Sequence, residues 1–131
     1  MSIKHPDICP CQNAKYANCC GVYHSGKHAE TAEKLMRSRY SAYVLELDDY
    51  LLSTWHHTTR PTEPLFDGQK TQWLELKVQN HQTYQDQTTA TVEFIAIYKI
   101  NGKAHRLHEI SQFVFEDNQW FYVDGVFPEI K

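Results

Sequence analysis

All four cysteines of this 131-residue chain lie near its amino end, in two pairs. Cys9 and Cys11 flank a proline, and Cys19 and Cys20 are adjacent. Two thiolate pairs can converge on one tetrahedral zinc ion if the loop between them doubles back. The alternatives are disulfides, unliganded thiols, and reactive cysteine chemistry at Cys19 and Cys20, which ligation would suppress. The spacing predicts a structural zinc site made of Cys9, Cys11, Cys19 and Cys20, and Gly21 is a residue able to take a positive φ on leaving the second pair.

The composition favours metal over disulfides, because the chain has other means of building a core. Three Trp, eight Tyr and six Phe residues supply apolar bulk. The first residues contain no hydrophobic signal region, so we expect a reducing cytoplasm. No apolar run approaches the length of a membrane span. A formal net charge of −3 without a basic block disfavours nucleic-acid binding.

Two helices are predicted after a short polar connector, which spans residues 22–28. Apolar residues at helical spacing and a Thr31 N-cap indicate a helix from Ala32 to Leu47. Its stripe centres on Met36, Tyr43 and Leu47, with Arg39 on the buried flank. Its outward residues are predicted to be Arg37, Ser38 and Ser41. Asp48 and Asp49 can cap a shorter helix that runs through Trp55 and ends at His56, before a loop over residues 60–70.

Four strands are predicted in the second half of the chain, where β-branched and aromatic residues concentrate. They are Trp73–Val78, Ala90–Lys99, Ala104–Phe115 and Gln119–Val123. A two-residue turn at Asn101-Gly102 sets Phe94 opposite Glu109. A similar turn at Asp117-Asn118 sets Phe113 opposite Tyr122 and Ser111 opposite Asp124. One aromatic face of the sheet therefore also carries Glu109, Ser111 and Asp124.

These elements predict an α+β cone, in which two helices pack on the aromatic face of a curved antiparallel sheet. The opposite face is also apolar, so something should cover it. The candidates are the cysteine module, the segment 126–131, or a second copy of the chain in a homodimer. The apolar residues of this opposite face are Ile95, Ile97, Ile110, Val114, Phe121 and Val123.

The candidate catalytic residues are those that the cone would direct into its interior. Arg39, Glu109 and Asp124 either form an internal ion pair or make the polar floor of a cavity. In the second case a carboxylate could serve as general base, with Arg39 or Tyr40 stabilising negative charge. His56 is a candidate acid or base, or a further metal ligand, but could equally cap its helix.

The cysteine segment resembles the SEC-C motif, a zinc-binding pattern of C-x-C, a loop with an aromatic residue (here Tyr16), and C-C or C-H. It lacks the Gly-Ser start of that motif, and its loop is shorter. The whole chain resembles the YchJ-like family, a SEC-C knuckle followed by a nuclear-transport-factor-2-like domain. The matching segments are Leu35–Tyr40, Tyr50-Leu51, Thr54–His56, Trp73-Leu74, Val92–Phe94, Glu109, Ser111, Phe113 and Trp120–Gly125.

The resemblance implies structural zinc and a boundary between a knuckle with its connector, residues 1–28, and a nuclear-transport-factor-2-like domain, residues 29–131. It implies no reaction. Two functions therefore stay open. The first is a zinc-binding interaction or ligand-binding module, with a protein partner at the knuckle or a small apolar ligand in the cavity. The second is a small-molecule enzyme, and by analogy of fold its reaction would be that of an isomerase, dehydratase or hydrolase.

Overall fold

The computed structural model describes residues 8–11, 15–66 and 71–128. Four antiparallel strands form one sheet in the order of the sequence, and the helices precede them. The α+β class is therefore confirmed. None of the helices in the described ranges is long and apolar enough to cross a bilayer. The elements are α1 (Cys20–His24), α2 (Ala32–Leu45), α3 (Asp48–Ser53), β1 (Thr71–Thr83), β2 (Thr89–Ile100), β3 (Lys103–Glu116) and β4 (Gln119–Val126), with a 3-10 turn at Tyr16–Asn18 before α1.

Helix α2 begins where the sequence predicted and ends two residues earlier. The Thr31 side chain caps its first turn by accepting a hydrogen bond from the Lys34 amide, at 3.1 Å. Glu46 adopts a left-handed conformation with φ of 57°, and its N–H bonds back to the last turn. Because the chain turns there, Leu47 lies outside the helix that was predicted to contain it.

Two serines of α2 that were predicted to face outward are buried. Ser38 donates to the Leu35 carbonyl at 2.7 Å and its oxygen lies 2.6 Å from the Tyr50 hydroxyl, while Ser41 contacts Cys9. The sheet covers one side of α2, and α3 with the cysteine segment covers another. A single apolar stripe cannot describe a helix that is covered on two sides, so that part of the prediction was wrong.

The connector and the second helix also differ from the sequence prediction. Residues Cys20–His24 of the predicted cysteine module and connector form α1. Helix α3 ends at Ser53, and Trp55 lies beyond it in a bridge to Tyr122. Asp48 and Asp49 occupy the first turn, after an N-cap at Leu47. Part of the predicted 60–70 loop, residues 67–70, lies outside the described residues.

The β2–β3 hairpin has the predicted register. Asn101 and Gly102 both have positive φ, 54° and 78°, as a two-residue type I′ turn requires. Phe94 pairs with Glu109 and Val92 pairs with Ser111. The inner residues of these strands therefore alternate toward α2 as the sequence indicated.

The β3–β4 pairing follows the prediction as far as Tyr122 and departs from it after one extra residue, Val123. Phe113 pairs with Tyr122 as expected, but a bulge at Val123 then places Gly125 opposite Ser111 and Asp124 opposite Gln112. An extra residue in one strand reverses the face of every residue that follows it. The predicted pairing of Ser111 with Asp124 was wrong, and Asp124 is exposed on the other side of the strand.

The bulge makes Gly125 sterically necessary. A Cβ atom at this position would clash with the Glu109 carboxylate, lying 2.6 Å from its Cδ atom. We expect Gly125→Ala to lower the free energy of unfolding by about 1–3 kcal/mol, because Glu109 must move. Denaturant unfolding checks this. The neighbouring exposed Val126→Ala is the control and should change stability by less than about 0.5 kcal/mol; equal effects for the two variants would contradict the bulge.

Candidate metal centre and cavity

The four cysteine sulfurs converge in one cluster. All four Sγ atoms lie within 4.8 Å of one another, and none forms a disulfide. Cys9, Cys11 and Cys20 are buried, whereas Cys19 is partly exposed. Four thiolates around an ion with bonds of about 2.3 Å would be roughly 3.8 Å apart, so the cluster needs only small adjustments to hold a metal. The predicted convergence of the two pairs is observed.

The electrostatics of the cluster also fit a cation. Hydrogen bonds from Cys11 and Cys20 lower the pKa of Cys9, while bonds to Cys11 and Cys9 raise the pKa of Cys20. These opposite shifts share one cause, because crowded sulfurs cannot all lose their protons without a positive charge among them. A divalent ion would supply that charge and allow all four thiols to ionise.

A tight turn brings the second cysteine pair back to the first. A bridge between Ile8 and Lys15 closes the loop, and the 3-10 turn then leads into Cys19. Gly21 lies inside α1 and does not use the positive φ that a glycine allows. Its small size is what the turn requires, since a Cβ atom there would lie 2.6 Å from the Tyr16 carbonyl oxygen.

The cysteine cluster is part of the main core. The same buried set contains Cys9, Cys11, Cys20, and the α2 residues Leu35 and Met36. Cys9 Sγ also lies 3.3 Å from the Ser41 hydroxyl of α2. The metal site and the helix that covers the sheet therefore share a packed boundary.

A hydrogen-bonded chain that was not predicted links the cysteine segment to both larger helices. The Tyr16 hydroxyl lies 2.6 Å from His24 Nδ1, and His24 Nε2 lies 2.8 Å from the Ser38 carbonyl. Because a carbonyl only accepts, Nε2 carries the proton and Tyr16 donates to Nδ1. Ser38 then meets Tyr50 of α3. In the sequence, only the placement of Ser38 and Tyr50 on the two predicted helices could have suggested the contact between them.

Arg39 crosses the interface between helices and sheet. Its Nη1 atom donates to the Leu51 carbonyl at 2.8 Å and to the Thr54 hydroxyl at 2.7 Å. The guanidinium packs against the rings of Trp55 and Tyr122, which meet edge to face on one side of it, with its central carbon 4.9 and 4.6 Å from the ring centroids. Burial lowers the pKa of Arg39, but a guanidinium stays protonated in proteins, so the charge remains.

A cavity of about 250 Å³ lies between α2 and the inner face of the sheet. Its walls are mainly apolar and aromatic, and its partly exposed lining residues include Tyr43, Trp73 and Leu107. The predicted site residues Arg39, Tyr40 and Glu109 all contribute to the lining, together with Ser111 and Tyr122. Two of the three residues that could make the polar floor of a cavity, Arg39 and Glu109, therefore do line one.

Glu109 is buried at this cavity and held by two hydroxyl groups. Ser111 and Tyr122 donate to its Oε2 atom at 2.9 and 3.0 Å. No direct ion pair joins Glu109 to Arg39 among the residues of the described ranges, so the predicted internal ion pair is replaced by separate hydrogen-bond sets. Both charges nevertheless line one cavity.

The tyrosines around the cavity remain neutral and able to donate hydrogen bonds. Burial raises the pKa of Tyr40 to about 12. Burial also raises the pKa of Tyr43, although the neighbouring Arg39 charge acts in the opposite direction. Tyr122 has a raised pKa through burial and the adjacent Glu109 carboxylate. The cavity therefore contains one cation, one carboxylate and several un-ionised phenols.

Two of the predicted cavity candidates lie elsewhere. Asp124 is on the outside of β4 because of the bulge. His56 is buried, but its Nε2 atom lies 3.0 Å from Glu116 and its Nδ1 atom lies 2.7 Å from the Thr58 hydroxyl. Its ring packs against Phe121 instead of lining the cavity. Neither residue is near the cysteine cluster, so His56 is not a further ligand there.

Comparison with known proteins identifies the family. The model of the middle nuclear-transport-factor-2-like domain of YchJ matches residues 31–125. The chain belongs to the YchJ-like family. That match begins at the N-cap of α2 and ends at Gly125, so it covers the helices and the sheet that enclose the cavity of this YchJ-like chain.

Relatives and solved structures cover almost the whole YchJ-like chain. A UPF0225 protein from Cupriavidus metallidurans is 52% identical over 127 residues, covering 92% of this chain and 89% of the relative. A SEC-C motif protein from Rhodopseudomonas palustris, solved in solution, has a TM-score of 0.78 at 32% identity, covering 93% and 99%. A crystal structure of a SEC-C motif protein from Psychrobacter arcticus has a TM-score of 0.71 at 30% identity, covering 95% and 84%.

The position of Arg39 makes a testable prediction about stability. We expect Arg39→Lys to lower the free energy of unfolding by about 2–3 kcal/mol, because an ammonium cannot donate to Leu51 and Thr54 and also place a planar guanidinium against the rings of Trp55 and Tyr122. Denaturant unfolding measures this. Arg37→Lys is the matched control, since Arg37 forms a surface pair with Glu33 and should change stability by less than about 1 kcal/mol. Comparable losses would refute the structural role of Arg39.

Proposed function

We propose that this protein binds a small molecule in the cavity between α2 and the sheet, and that a structural zinc ion holds the cysteine segment against α2. The observation that carries the proposal is the open cavity of about 250 Å³, which has apolar walls and two buried charged residues, Arg39 and Glu109. Ligand sites in proteins combine an apolar lining with a few fixed polar groups in this way.

Zinc is the metal that best suits the cysteine cluster. Four thiolates in a compact cluster match the closed, tetrahedral sites in which zinc is structural. Because Cys9, Cys11, Cys19 and Cys20 would fill all four positions, no position would remain for a substrate. Four cysteines without a disulfide also support a reducing compartment, and we propose the cytoplasm.

An enzymatic role for the same cavity is the second candidate. Glu109 has a buried carboxylate whose orientation is fixed by Ser111 and Tyr122, and such a group could accept a proton from a bound substrate. Arg39 and the hydroxyl of Tyr43 would then stabilise negative charge that develops on the substrate. Turnover of a ligand found in the cavity would separate this candidate from simple binding.

The predicted protein partner and the predicted homodimer stay predictions. A protein partner at the cysteine segment would have to use its exposed surface, because three of the four cysteines are packed in the core. A homodimer would cover the outer face of the sheet, where the apolar residues predicted from sequence are only half-buried. Val126 and Phe127 at the end of β4 are more exposed still.

Metal identity and its structural role can be tested together. We expect native mass spectrometry of the purified protein to give one zinc ion per chain, and Cys20→Ser to lose it. Since Cys20 packs with Leu35 and Met36, that loss should also lower the stability of the whole domain by several kcal/mol. Asn18→Ser, an exposed change beside Cys19, is the control and should keep both metal and stability. If the wild-type protein contained no zinc and were as stable without the metal as with it, the zinc proposal would be contradicted.

Blocking the cavity tests the ligand-binding proposal. We expect toluene to bind the wild-type protein in saturation-transfer NMR, and Leu107→Trp to abolish binding by filling the space. Ala104→Trp adds the same side chain at an exposed position of the same strand and should leave toluene binding unchanged. Toluene binding that survives Leu107→Trp, or a wild-type protein that binds neither toluene nor polar one-ring molecules of the same size, would overturn the use of this cavity.

A further inference from the structure

The two charged residues at the cavity are held separately, which constrains what can bind between them. Arg39 is 5% exposed and Glu109 is 8% exposed, and both line the same space. A buried cation and a buried anion normally pair with each other. No described residue hydrogen-bonds to both of them, although Tyr122, which donates to Glu109, also packs its ring against Arg39.

The Glu109 end of the cavity can only accept hydrogen bonds. Ser111 and Tyr122 both direct their single hydroxyl hydrogen to Oε2. Among the described residues no donor reaches Oε1, although Glu109 lines the cavity. An ionised carboxylate has no hydrogen of its own to donate. A ligand group that meets Glu109 must therefore carry an N–H or O–H.

The Arg39 guanidinium at the other end can only donate hydrogen bonds. Both hydrogens of Nη1 are used by the Leu51 carbonyl and the Thr54 hydroxyl. Trp55 and Tyr122, whose ring centroids are 5.2 Å apart, both lie on one side of the guanidinium, and Arg39 also lines the cavity, where its remaining N–H groups can meet a ligand. Tyr43 lies beside that guanidinium and brings a neutral hydroxyl to the same end. A ligand group that meets Arg39 must therefore carry an acceptor.

The charge balance and the walls limit the ligand further. One buried cation and one buried anion leave no net charge for a ligand to neutralise, so a charged ligand would meet one opposed charge and one like charge. The walls include the rings of Tyr40, Trp73, Phe94 and Phe113, which favour a flat ring between them. A volume of about 250 Å³ is small for a ligand site and suits one ring with a short substituent.

We propose that the cavity binds a neutral, planar molecule that presents an N–H and a C=O side by side, as a primary carboxamide or a lactam does. The N–H would donate to Glu109 and the carbonyl would accept from Arg39 and Tyr43, with the ring between the aromatic walls. This inference rests on the proposed ligand-binding function and adds the chemical class of the ligand.

Four one-ring probes distinguish the classes by charge and hydrogen bonding. Benzamide carries the required pair of groups, benzoate is an anion, benzylammonium is a cation, and toluene has neither charge nor polar group. We expect the dissociation constant of benzamide, measured by titration NMR on the full chain, to be at least about tenfold lower than those of the other three.

Glu109→Gln tests the direction of the hydrogen bond. Gln keeps one oxygen for Ser111 and Tyr122 but replaces the free acceptor by an NH₂ donor. We expect it to weaken benzamide binding about tenfold and to leave toluene binding unchanged. Glu116→Gln is the control, since Glu116 is on the same strand, outside the cavity, and should change neither. If Glu109→Gln does not fold, Tyr43→Phe should weaken benzamide several-fold and spare toluene.

The outcomes distinguish a failure of the carboxamide inference from a failure of the proposed ligand-binding function. One outcome is that Leu107→Trp blocks toluene binding but benzoate or benzylammonium binds at least as tightly as benzamide. That outcome would overturn the carboxamide class and keep the ligand cavity. Unchanged benzamide binding in a folded Glu109→Gln variant would do the same. Failure of all four probes to bind would overturn the ligand cavity itself.

Discussion

The packing of the helices on the sheet depends on the contacts that accommodate one buried cation, Arg39. Arg39 joins α2 to α3 through Leu51 and Thr54, and joins both to the sheet by stacking against Tyr122. A guanidinium removed from water needs acceptors for its hydrogens and neighbours for its faces, and these contacts supply acceptors for Nη1 and aromatic cover on one side. They also keep Arg39 from collapsing onto Glu109. The cavity stays open because each of the two charges has its own partners.

The cysteine cluster meets a related constraint at the other side of α2. Its sulfurs are packed with Leu35 and Met36, and Ser41 lies against Cys9. Tyr16, His24 and Ser38 add a hydrogen-bonded path from the cysteine segment into α2. The segment is therefore a part of the domain's packing, although its chemistry suggests a separate module. The family match from residue 31 onward describes the sheet and its helices, and the cysteine segment supports them.

Local signals in the sequence predicted much of this arrangement. Asn101-Gly102 allows few turn geometries, so it determined the β2–β3 register and placed Glu109 on the inner face. The vicinal cysteines and their short loop predicted convergence, which needs no long-range information. Ser38 and Ser41 were misplaced because their burial depends on packing by α3 and the cysteine segment, and a helical period reports only one covered side. The position of Asp124 failed because nothing in the spacing of β4 indicates an additional residue.

The bulge at Val123 shows that the chemistry of this cavity is determined by strand register as well as by side-chain identity. If the same residues paired without the bulge, Val123 would lie opposite Gln112 and Asp124 would turn inward opposite Ser111, toward the position that Gly125 now leaves clear for Glu109. Two carboxyl groups would then share one poorly hydrated space, and one of them would hold a proton at neutral pH. The bulge thus keeps a single acid in the chamber, whereas deleting Val123 would leave Asp124 opposite Gln112 and Gly125 opposite Ser111, as they are now.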